Sequence, residues 1–253
     1  MNYSNIRDTT NHLLPGIVLI MINMIKELFL LNTQIRKSAF SRKNLAAAFL
    51  CTLGIFSMAI VFTLHFRSLY YFDIDHLDIP AASGYSKEVI RKNYDELIDY
   101  NSISGPSKLT FSDFTMSEEG KIHFEEVRRI FRNIEYASFV LIPLTFFLIV
   151  RQIRKKNIAF FALLSALPTT LVVIVGLLAA LNWDFCFVLF HKIMFRNDYW
   201  IFNPAYDPVI TILPDTYFLH AAILILFCVL AASLFSFLLY QMLRRKVSNN
   251  AKR

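Results

Sequence analysis

Two histidines, His123 and His191, are the side chains in this sequence best suited to acid–base chemistry. Imidazole exchanges a proton near neutral pH, and two imidazoles at one site can divide proton acceptance and proton donation between them. Each also has a purely structural reading, as a partly buried histidine that is hydrogen-bonded to the backbone. Their placement favours chemistry, because each lies beside an apolar run, in a different long polar segment.

His191 lies near the start of the most distinctive stretch, residues 190–218, FHKIMFRNDYWIFNPAYDPVITILPDTYF. This stretch sets polar side chains, among them Asn197, Asp198 and Asp207, between aromatic rings such as that of Trp200. Trp and Tyr prefer the membrane–water boundary, because their rings are apolar and their tips are polar. The stretch therefore predicts a reactive or binding site at a membrane surface.

The apolar content of the chain makes a lipid bilayer its expected solvent. Of its 253 residues 56% are hydrophobic, and 25 are Phe, which is more apolar area than a water-soluble core of this size can bury. Four apolar runs have the composition of membrane helices. They are Leu45–Leu64, Ala137–Val150, Ile158–Leu181 and Tyr217–Leu243. The predicted fold class is an all-α membrane protein with four transmembrane helices and a small helical extracellular cap.

The distribution of charge predicts the orientation of these helices. Segments 1–44, 151–157 and 244–253 hold 15 Lys or Arg against two acidic residues, whereas segments 65–136 and 183–216 hold 11 against 17. By the positive-inside rule the first group faces the cytoplasm and the second faces outward. The net charge of +7 then reflects cytoplasmic segments, and no nucleic-acid partner is expected.

The predicted domains follow from this topology. Residues 45–243 form the four-helix transmembrane domain, which includes the extracellular cap (65–136) and a second outer loop (183–216). Residues 244–253 form a basic cytoplasmic tail. Residues 1–44 are a cytoplasmic or interfacial extension, or else a segment added upstream of a later translation start such as Met24.

The cap is expected to contain two helices. Ser86 is a candidate N-cap for the first, whose apolar positions share one face. A capping box, Thr115-x-x-Glu118, is expected to open the second. On that helix His123 shares a stripe with Val127 and Ile130, so it is expected to face the cap interior or the membrane.

Other polar residues are expected to be less important. The cluster Asp73, Asp75, His76 and Asp78 is interpreted as a solvated turn, and His220 as an interfacial side chain. Glu126 lies near His123, but there is no HExxH spacing and no third ligand is evident, so neither a metal nor a cofactor is predicted.

Part of the sequence resembles a known family. The stretch FHKIMFRNDYWIFNP, followed by Asp207 and LPDTYF, is similar to the signature of the lipoprotein intramolecular transacylase (Lit) family. The segments SGYSKEVIRKNYDELIDY, with Asn93 and Tyr94, and EEGKIHFEEVRRIF, around His123, also match. The resemblance covers about residues 45–243. The chain departs from the family pattern in two ways: Glu126 replaces the usual Asp, and residues 1–44 are additional.

The resemblance implies a specific reaction. Family members move an acyl chain from the glyceryl sn-2 oxygen of a diacylglyceryl-modified lipoprotein to the α-amino group of its N-terminal cysteine, which gives a lyso-form lipoprotein. The family's catalytic histidine pair maps onto His123 and His191. Substrate contacts are expected at Asn93, Tyr94, Asn197, Asp198, Trp200 and Asp207.

The chemistry suits these residues. An α-amine has a pKa of about 8, so a neutral imidazole can take its proton. The other imidazole, as imidazolium, would stabilise the oxyanion or protonate the glyceryl oxygen, and the sequence leaves open which histidine is the base. The expected partners are diacylglyceryl-modified lipoproteins and membrane lipid. The protein is expected to be a monomer of the cell membrane with an extracellular active site.

Two other functions remain open from the sequence. A metal-dependent membrane hydrolase would use His123, Glu126 and His191 as ligands. A non-enzymatic membrane receptor or assembly factor would use the cap as a docking surface and would tolerate loss of both histidines.

Overall fold

The computed structural model describes residues 16, 18–27, 30–31 and 33–250, and every regular element in this part of the chain is helical. Much of the predicted extension 1–44 and the end of the predicted tail 244–253 lie outside the described residues. The elements, in chain order, are α1 (residues 18–27), α2 (Thr33–Ala39), α3 (Arg42–His65), α4 (Ser68–His76), α5 (Ile79–Ser83), α6 (Lys87–Asn101), α7 (Glu118–Arg154), α8 (Ile158–Leu181), α9 (Trp183–Met194), the 3₁₀ helix η1 (Pro208–Ile212) and α10 (Asp215–Asn250).

Four of these helices are long and apolar enough to cross a membrane, namely Arg42–His65, Glu118–Arg154, Ile158–Leu181 and Asp215–Val247. At 1.5 Å per residue, even 24 residues reach about 36 Å, which exceeds the ~30 Å of bilayer hydrocarbon. The prediction of an all-α membrane protein with four spans is confirmed. The second span is the C-terminal part of α7, whose 37 residues run unbroken from the cap.

One of two compact units contains the described residues of Met1–Ile55, Leu141–Val175 and Cys228–Arg253. At Gly54 an added Cβ would lie 2.1 Å from Thr145 Oγ1, so glycine allows α3 and α7 to approach closely here. Helix α1 belongs to this packing. Met24 is fully buried, and the Glu27 carboxylate accepts hydrogen bonds from Tyr240 Oη at 2.8 Å and Arg244 Nη1 at 2.6 Å.

The other unit contains Phe56–Val140 and Gly176–Phe227. Its core is built around three tyrosines from different helices. The ring of Tyr94 stacks on that of Tyr70 with centroids 3.7 Å apart, and its hydroxyl lies 2.9 Å from that of Tyr217. Tyr70 donates to the carbonyl of Ile212 at 2.6 Å, which attaches η1 to α4. The predicted outer segment 65–136 is therefore a helical cap whose core also includes η1 and the start of α10.

Of the two N-terminal helix-capping residues predicted in segment 65–136, one is correct. Ser86 caps α6 as predicted, since its side chain accepts from Val89 N. The Thr115 capping box is wrong: α7 begins at Glu118, and the hydroxyl of Ser117 accepts from Gly120 N at 2.9 Å. The Thr115 hydroxyl instead donates to the carbonyl of Tyr206, a partner remote in sequence.

The interpretation of the Asp73 cluster as a solvated turn is wrong for Asp73 itself, which is fully buried in α4. Asp75, His76 and Asp78 are exposed, and Asp78 lies in the turn after α4. Both carboxylate oxygens of Asp73 lie 2.9 Å from Nδ1 of His220, so the expected interfacial histidine is the partner of a buried acid. Removing one member of a buried pair leaves an uncompensated polar group, so His220 contributes to stability here.

Candidate active site

The structure brings His123 of α7 and His191 of α9 together. Their ring centroids are 6.2 Å apart, with 29° between the ring planes. That spacing is comparable to two hydrogen-bond lengths of about 3 Å, so both rings can lie beside one reacting group. The two histidines are 68 positions apart in the chain, and only the fold brings them together.

Helix α9 places His191. It begins at Trp183, after Asn182, whose side chain caps it by accepting from Phe185 N at 2.9 Å. Two turns later, His191 Nδ1 lies 2.7 Å from the carbonyl oxygen of Phe187. A carbonyl oxygen can only accept, so Nδ1 carries the hydrogen of the neutral ring, and Nε2 keeps its lone pair. His191 is thereby held in the tautomer that makes Nε2 a base.

His123 is more enclosed. It is 5% exposed, and it lies in the charged first part of α7, before the apolar part. The rings of Phe195 and Phe202 approach it edge-on, with centroids 4.7 and 5.4 Å away. Its Nδ1 atom is buried and has no hydrogen-bond partner among the described residues. Such an atom is costly in an apolar setting, so its partner is a water molecule or a bound ligand.

Burial keeps both imidazoles neutral. Desolvation lowers the pKa of His123 well below its ordinary value, and repulsion from a charged His191 lowers it further. The pKa of His191 is also lowered by burial, against a smaller upward effect of its hydrogen bond to Phe187. A resting imidazolium is therefore disfavoured at either position.

The ring of Trp200 stacks against that of His191. The two rings lie 29° apart with centroids separated by 4.6 Å. The indole Nε1–H is buried and has no partner in the described part of the chain. Trp200 thus brings both an apolar wall and an unused hydrogen-bond donor to the dyad.

Two polar clasps attach the segment after α9 to helix α7. In the Asn197 clasp, Nδ2 of Asn197 donates to both carboxylate oxygens of Glu126 at 3.2 Å, while its Oδ1 accepts from Tyr199 N. Glu126 is one turn beyond His123. Its carboxylate is therefore used to hold the turn that leads to Trp200.

The Asp207 clasp lies on the other side of His123. Asp207 is 3% exposed; its Oδ1 accepts from Ser117 N at 2.8 Å, and its Oδ2 accepts from the Ser117 hydroxyl at 2.7 Å. A Cβ at Gly120 would lie 2.4 Å from Asp207 Oδ1, so glycine leaves room for the carboxylate. An acid at a helix N-terminus is also favoured by the helix dipole.

The remaining predicted contact residues lie apart from the dyad. Asn93 is fully buried and donates to the Val89 carbonyl and to Asp113, and Tyr94 belongs to the tyrosine core. Asp198 is exposed, and its backbone carbonyl accepts from Ile201 N. None of these contacts involves either histidine.

Sequence reasoning missed two contributors to the site. Phe187 is not identified because residues 183–216 are interpreted as a loop, although WDFCFVLFHKIM has the period of an amphipathic helix. Ser117 carries no local signal, since its partner Asp207 is distant in the chain. No group of three His, Cys, Asp or Glu side chains among the described residues is arranged to hold a metal ion.

Comparisons with known proteins agree with this architecture. A model of the lipoprotein intramolecular transacylase Lit family matches residues 45–218. The solved structure of the membrane integral lipoprotein intramolecular transacylase Lit from Bacillus cereus is 36% identical to this chain, with a TM-score of 0.77 over 81% of this chain and 95% of that chain.

Two further structures of the Bacillus cereus protein, with a histidine replaced by arginine or by alanine, match at 35% identity. Their TM-scores are 0.72 and 0.70; they cover 82% and 81% of this chain and 92% and 93% of their own. No curated protein matches the chain.

The fold and these comparisons identify a membrane-integral helical acyltransferase with four spans. Since the family model matches more than half of its length, the chain belongs to the lipoprotein intramolecular transacylase (Lit) family. The match begins at residue 45, where the first predicted span begins. The hydrolase and receptor alternatives are not favoured.

Proposed function

We propose that this protein transfers an acyl chain from the sn-2 oxygen of a diacylglyceryl-modified lipoprotein to the α-amino group of its N-terminal cysteine. The observation that carries the proposal is the pair His123 and His191, 6.2 Å apart among aromatic rings. Intramolecular acyl transfer needs proton movement and orientation but no protein nucleophile. Orientation alone can supply roughly 7–11 kcal/mol of the barrier.

In the proposed mechanism His191 is the base. Its Nδ1–H donates to the Phe187 carbonyl, which leaves Nε2 to take a proton from the substrate amine. The neutral amine is the nucleophile: its nitrogen bonds to the ester carbonyl carbon as one N–H proton passes to His191, and a tetrahedral oxyanion forms. As the bond from carbon to the glyceryl oxygen breaks, the proton held on His191 moves to that oxygen and leaves a free hydroxyl group.

In this route neither histidine is an imidazolium in the resting enzyme, in contrast to the expectation from the sequence that one of them is. Because burial lowers the pKa of both histidines, the proton on the departing oxygen is best supplied by the amine itself, relayed through His191. His123 and Trp200 take a different role. Each offers a buried ring nitrogen without a partner, and each is suited to donate a hydrogen bond to the developing oxyanion.

The clasps are proposed to position these groups rather than to touch the substrate. Asn197 and Asp207 hold the aromatic segment against α7 on the two sides of His123. Asn93 and Tyr94 support the cap core. Of the remaining predicted contact residues, exposed Asp198 is the one proposed to meet the peptide part of the substrate.

Exposed apolar side chains support entry of the substrate from lipid. On α9, Phe190 is 53% and Ile193 is 70% exposed, and Ile201 in the following segment is 64% exposed. Such a patch is suited to acyl chains. We place the site on the extracellular side of the cell membrane, with both termini in the cytoplasm, as the charge distribution predicts, and we propose a monomer.

The proposal is tested by mass spectrometry of lipoprotein N-termini after reaction with purified variants. His191→Ala is expected to lower formation of the N-acyl lyso-product by roughly 10²–10⁴-fold, the usual contribution of a general acid–base group. His123→Ala is expected to lower it by about 10²–10³-fold, the usual effect of losing one oxyanion donor. The double variant should be little worse than either single one, because the two act as a unit.

His76→Ala is the matched control. His76 is an exposed histidine of the cap that contacts neither member of the dyad, whereas His220 supports buried Asp73 and is unsuitable as a control. The control should keep wild-type activity. Substantial N-acylation by both dyad variants, at matched amounts of folded protein, would rule out the mechanism.

A further inference from the structure

A basic cleft lies on α7, separate from the histidine dyad. It is open, has a volume of about 360 Å³, and is lined by Arg128, Arg129 and Arg132 together with Tyr100, Tyr136 and Glu125. Within the described chain, none of the three arginines forms an ion pair with a carboxylate. With one acid against three bases, the cleft carries a net positive charge of two.

Arg128 is built into the wall of this cleft. It is 8% exposed, its guanidinium lies 4.3 Å above the ring of Tyr100, and two of its nitrogens donate to the carbonyls of Ser107 and Gly105. Its Nε atom is buried and has no partner among the described residues. Arg132 donates to the hydroxyl of Tyr136 at 2.9 Å, and Arg129 is exposed.

The position along α7 sets the depth of the cleft relative to the membrane. Glu135 pairs with His65, which ends the first membrane helix, at 2.7 Å, so this pair marks the outer end of the hydrocarbon-spanning region. At 1.5 Å per residue, Arg132 lies about 4–5 Å and Arg129 about 9 Å beyond that level. The polar layer of a bilayer is about 5–8 Å thick on each side, so the cleft spans it.

The surface on the membrane side of the cleft is apolar. Tyr136 is 52% exposed, and Phe139 and Val140 are 68% and 66% exposed. Phe139 and Val140 follow the arginines on α7 and lie on the apolar side of the boundary. A single ligand with an anionic head and a hydrocarbon tail complements both surfaces.

We propose that the arginine cleft binds the phosphate of an anionic phospholipid, with its acyl chains along Phe139 and Val140. Guanidinium groups match phosphate in shape and charge, and forked hydrogen bonds fix its orientation. A diacylglyceryl lipoprotein carries no phosphate on its glyceryl group, so this lipid is distinct from the proposed substrate. Free phosphate shares the charge of the headgroup but gains nothing from the apolar surface.

Retention of lipid by the purified full-length protein tests the proposal by native mass spectrometry. Offered phosphatidylglycerol and phosphatidylcholine in equal amounts, the wild type should retain the anionic lipid. Arg129→Gln and Arg132→Gln should each weaken retention about fivefold, since one basic residue near a membrane surface contributes about that factor. Arg128 is left intact, because it also holds the loop of Gly105 and Ser107.

Lys87→Gln is the matched control, since it removes one exposed cap charge outside the cleft. It should retain phosphatidylglycerol like the wild type, and all variants should melt like the wild type. Equal retention of both lipids, or equal retention by all variants, overturns the proposal. Displacement of the lipid by inorganic phosphate at millimolar concentration would indicate a free-anion site instead.

A third result would also overturn the proposal that the cleft binds a phospholipid. If the arginine variants keep phosphatidylglycerol but lose turnover only of lipoproteins with acidic residues after the cysteine, the cleft is a peptide site.

Discussion

At the scale of the residue, one hydrogen bond distinguishes the surroundings of His191 from those of His123. The Phe187 carbonyl holds the hydrogen of His191 on Nδ1, whereas Nδ1 of His123 is buried without a partner. The same imidazole is thus presented once with a free lone pair and once as a candidate hydrogen-bond donor. This difference arises from the backbone and the neighbours of each histidine, and the residue type alone does not reveal it.

The pH dependence of activity should reflect the lowered pKa values of the dyad. A base must be neutral, so a lowered pKa keeps His191 active to a lower pH, and this base is lost only as the pH passes below that value. The substrate amine gives kcat/KM one acid limb at about pH 8. The second limb, from His191, should lie below about 6.5, the ordinary histidine value. A His191 limb at or above 6.5, measured with a lipoprotein in detergent, would contradict a buried neutral base.

The free energy of unfolding should also fall at low pH because of the same lowered pKa values. The unfolded chain has histidines of ordinary pKa and binds protons first, so the free energy of unfolding falls as the pH drops below about 6.5. Thermal melts at each pH separate this loss of folded protein from the titration of the base.

Two substitutions separate the two proposed functions of Trp200. Trp200→Phe keeps an aromatic wall beside His191 but removes the Nε1–H donor, so turnover should fall by about 10²–10³-fold, the usual effect of losing one oxyanion donor. Free fatty acid should not accumulate. Trp200→Ala also opens the wall, so water can compete with the amine and fatty acid should appear beside the lyso-product.

The measurement is the ratio of lyso-product to fatty acid by mass spectrometry. Tyr199→Phe is a matched control, because Tyr199 is exposed and its backbone N–H, rather than its ring, contacts Asn197. Wild-type turnover in Trp200→Phe would remove the donor role and leave Trp200 as a wall alone.

At the scale of the element, the site depends on how the segment after α9 is attached to α7. The Asn197 and Asp207 clasps lie on the two sides of His123, and each joins residues 71 or more positions apart. Neither clasp includes a dyad atom. Together they determine where Trp200, Phe195 and Phe202 stand around the two histidines.

Asp207→Asn tests this arrangement. An amide keeps the shape of the carboxylate, but its NH₂ group cannot accept from Ser117, so one buried hydrogen bond is lost at a cost of about 1–3 kcal/mol. Both the melting temperature and kcat should fall, with KM less affected, because the segment that positions the dyad loosens. Asp215→Asn, at the exposed start of α10, is the matched control and should change neither. An unchanged kcat in Asp207→Asn would separate the clasp from catalysis.

At the scale of the whole molecule, the distribution of charge predicts the orientation of the protein in the membrane. The segments expected in the cytoplasm hold 15 basic residues against two acids. In a cysteine-free variant, a cysteine at Ser104 should react with an impermeant reagent in intact cells, and one at Asn249 should react only after permeabilisation. The opposite labelling pattern would place the dyad on the cytoplasmic side.

Features that depend on a single short segment of the chain were predictable from the sequence. Membrane spans are set by the length and apolarity of single segments, because bilayer thickness acts on each helix by itself. The Ser86 cap depends on a partner three residues away. His123 and His191 were likewise predictable as a pair, since each stands beside an apolar run and the Phe190–Phe218 stretch resembles the family signature.

Only the tertiary structure decided what these residues contact. The Thr115 cap failed and Asp73 proved to be buried because the partners, Tyr206 and His220, lie 91 and 147 positions away. Asn93 and Tyr94 share a motif with the family, yet they pack into the cap core, whereas Glu126 meets Asn197. Burial and hydrogen bonding depend on which segments meet in space, so the neutral state of the dyad and the base tautomer of His191 follow from the fold rather than from local sequence.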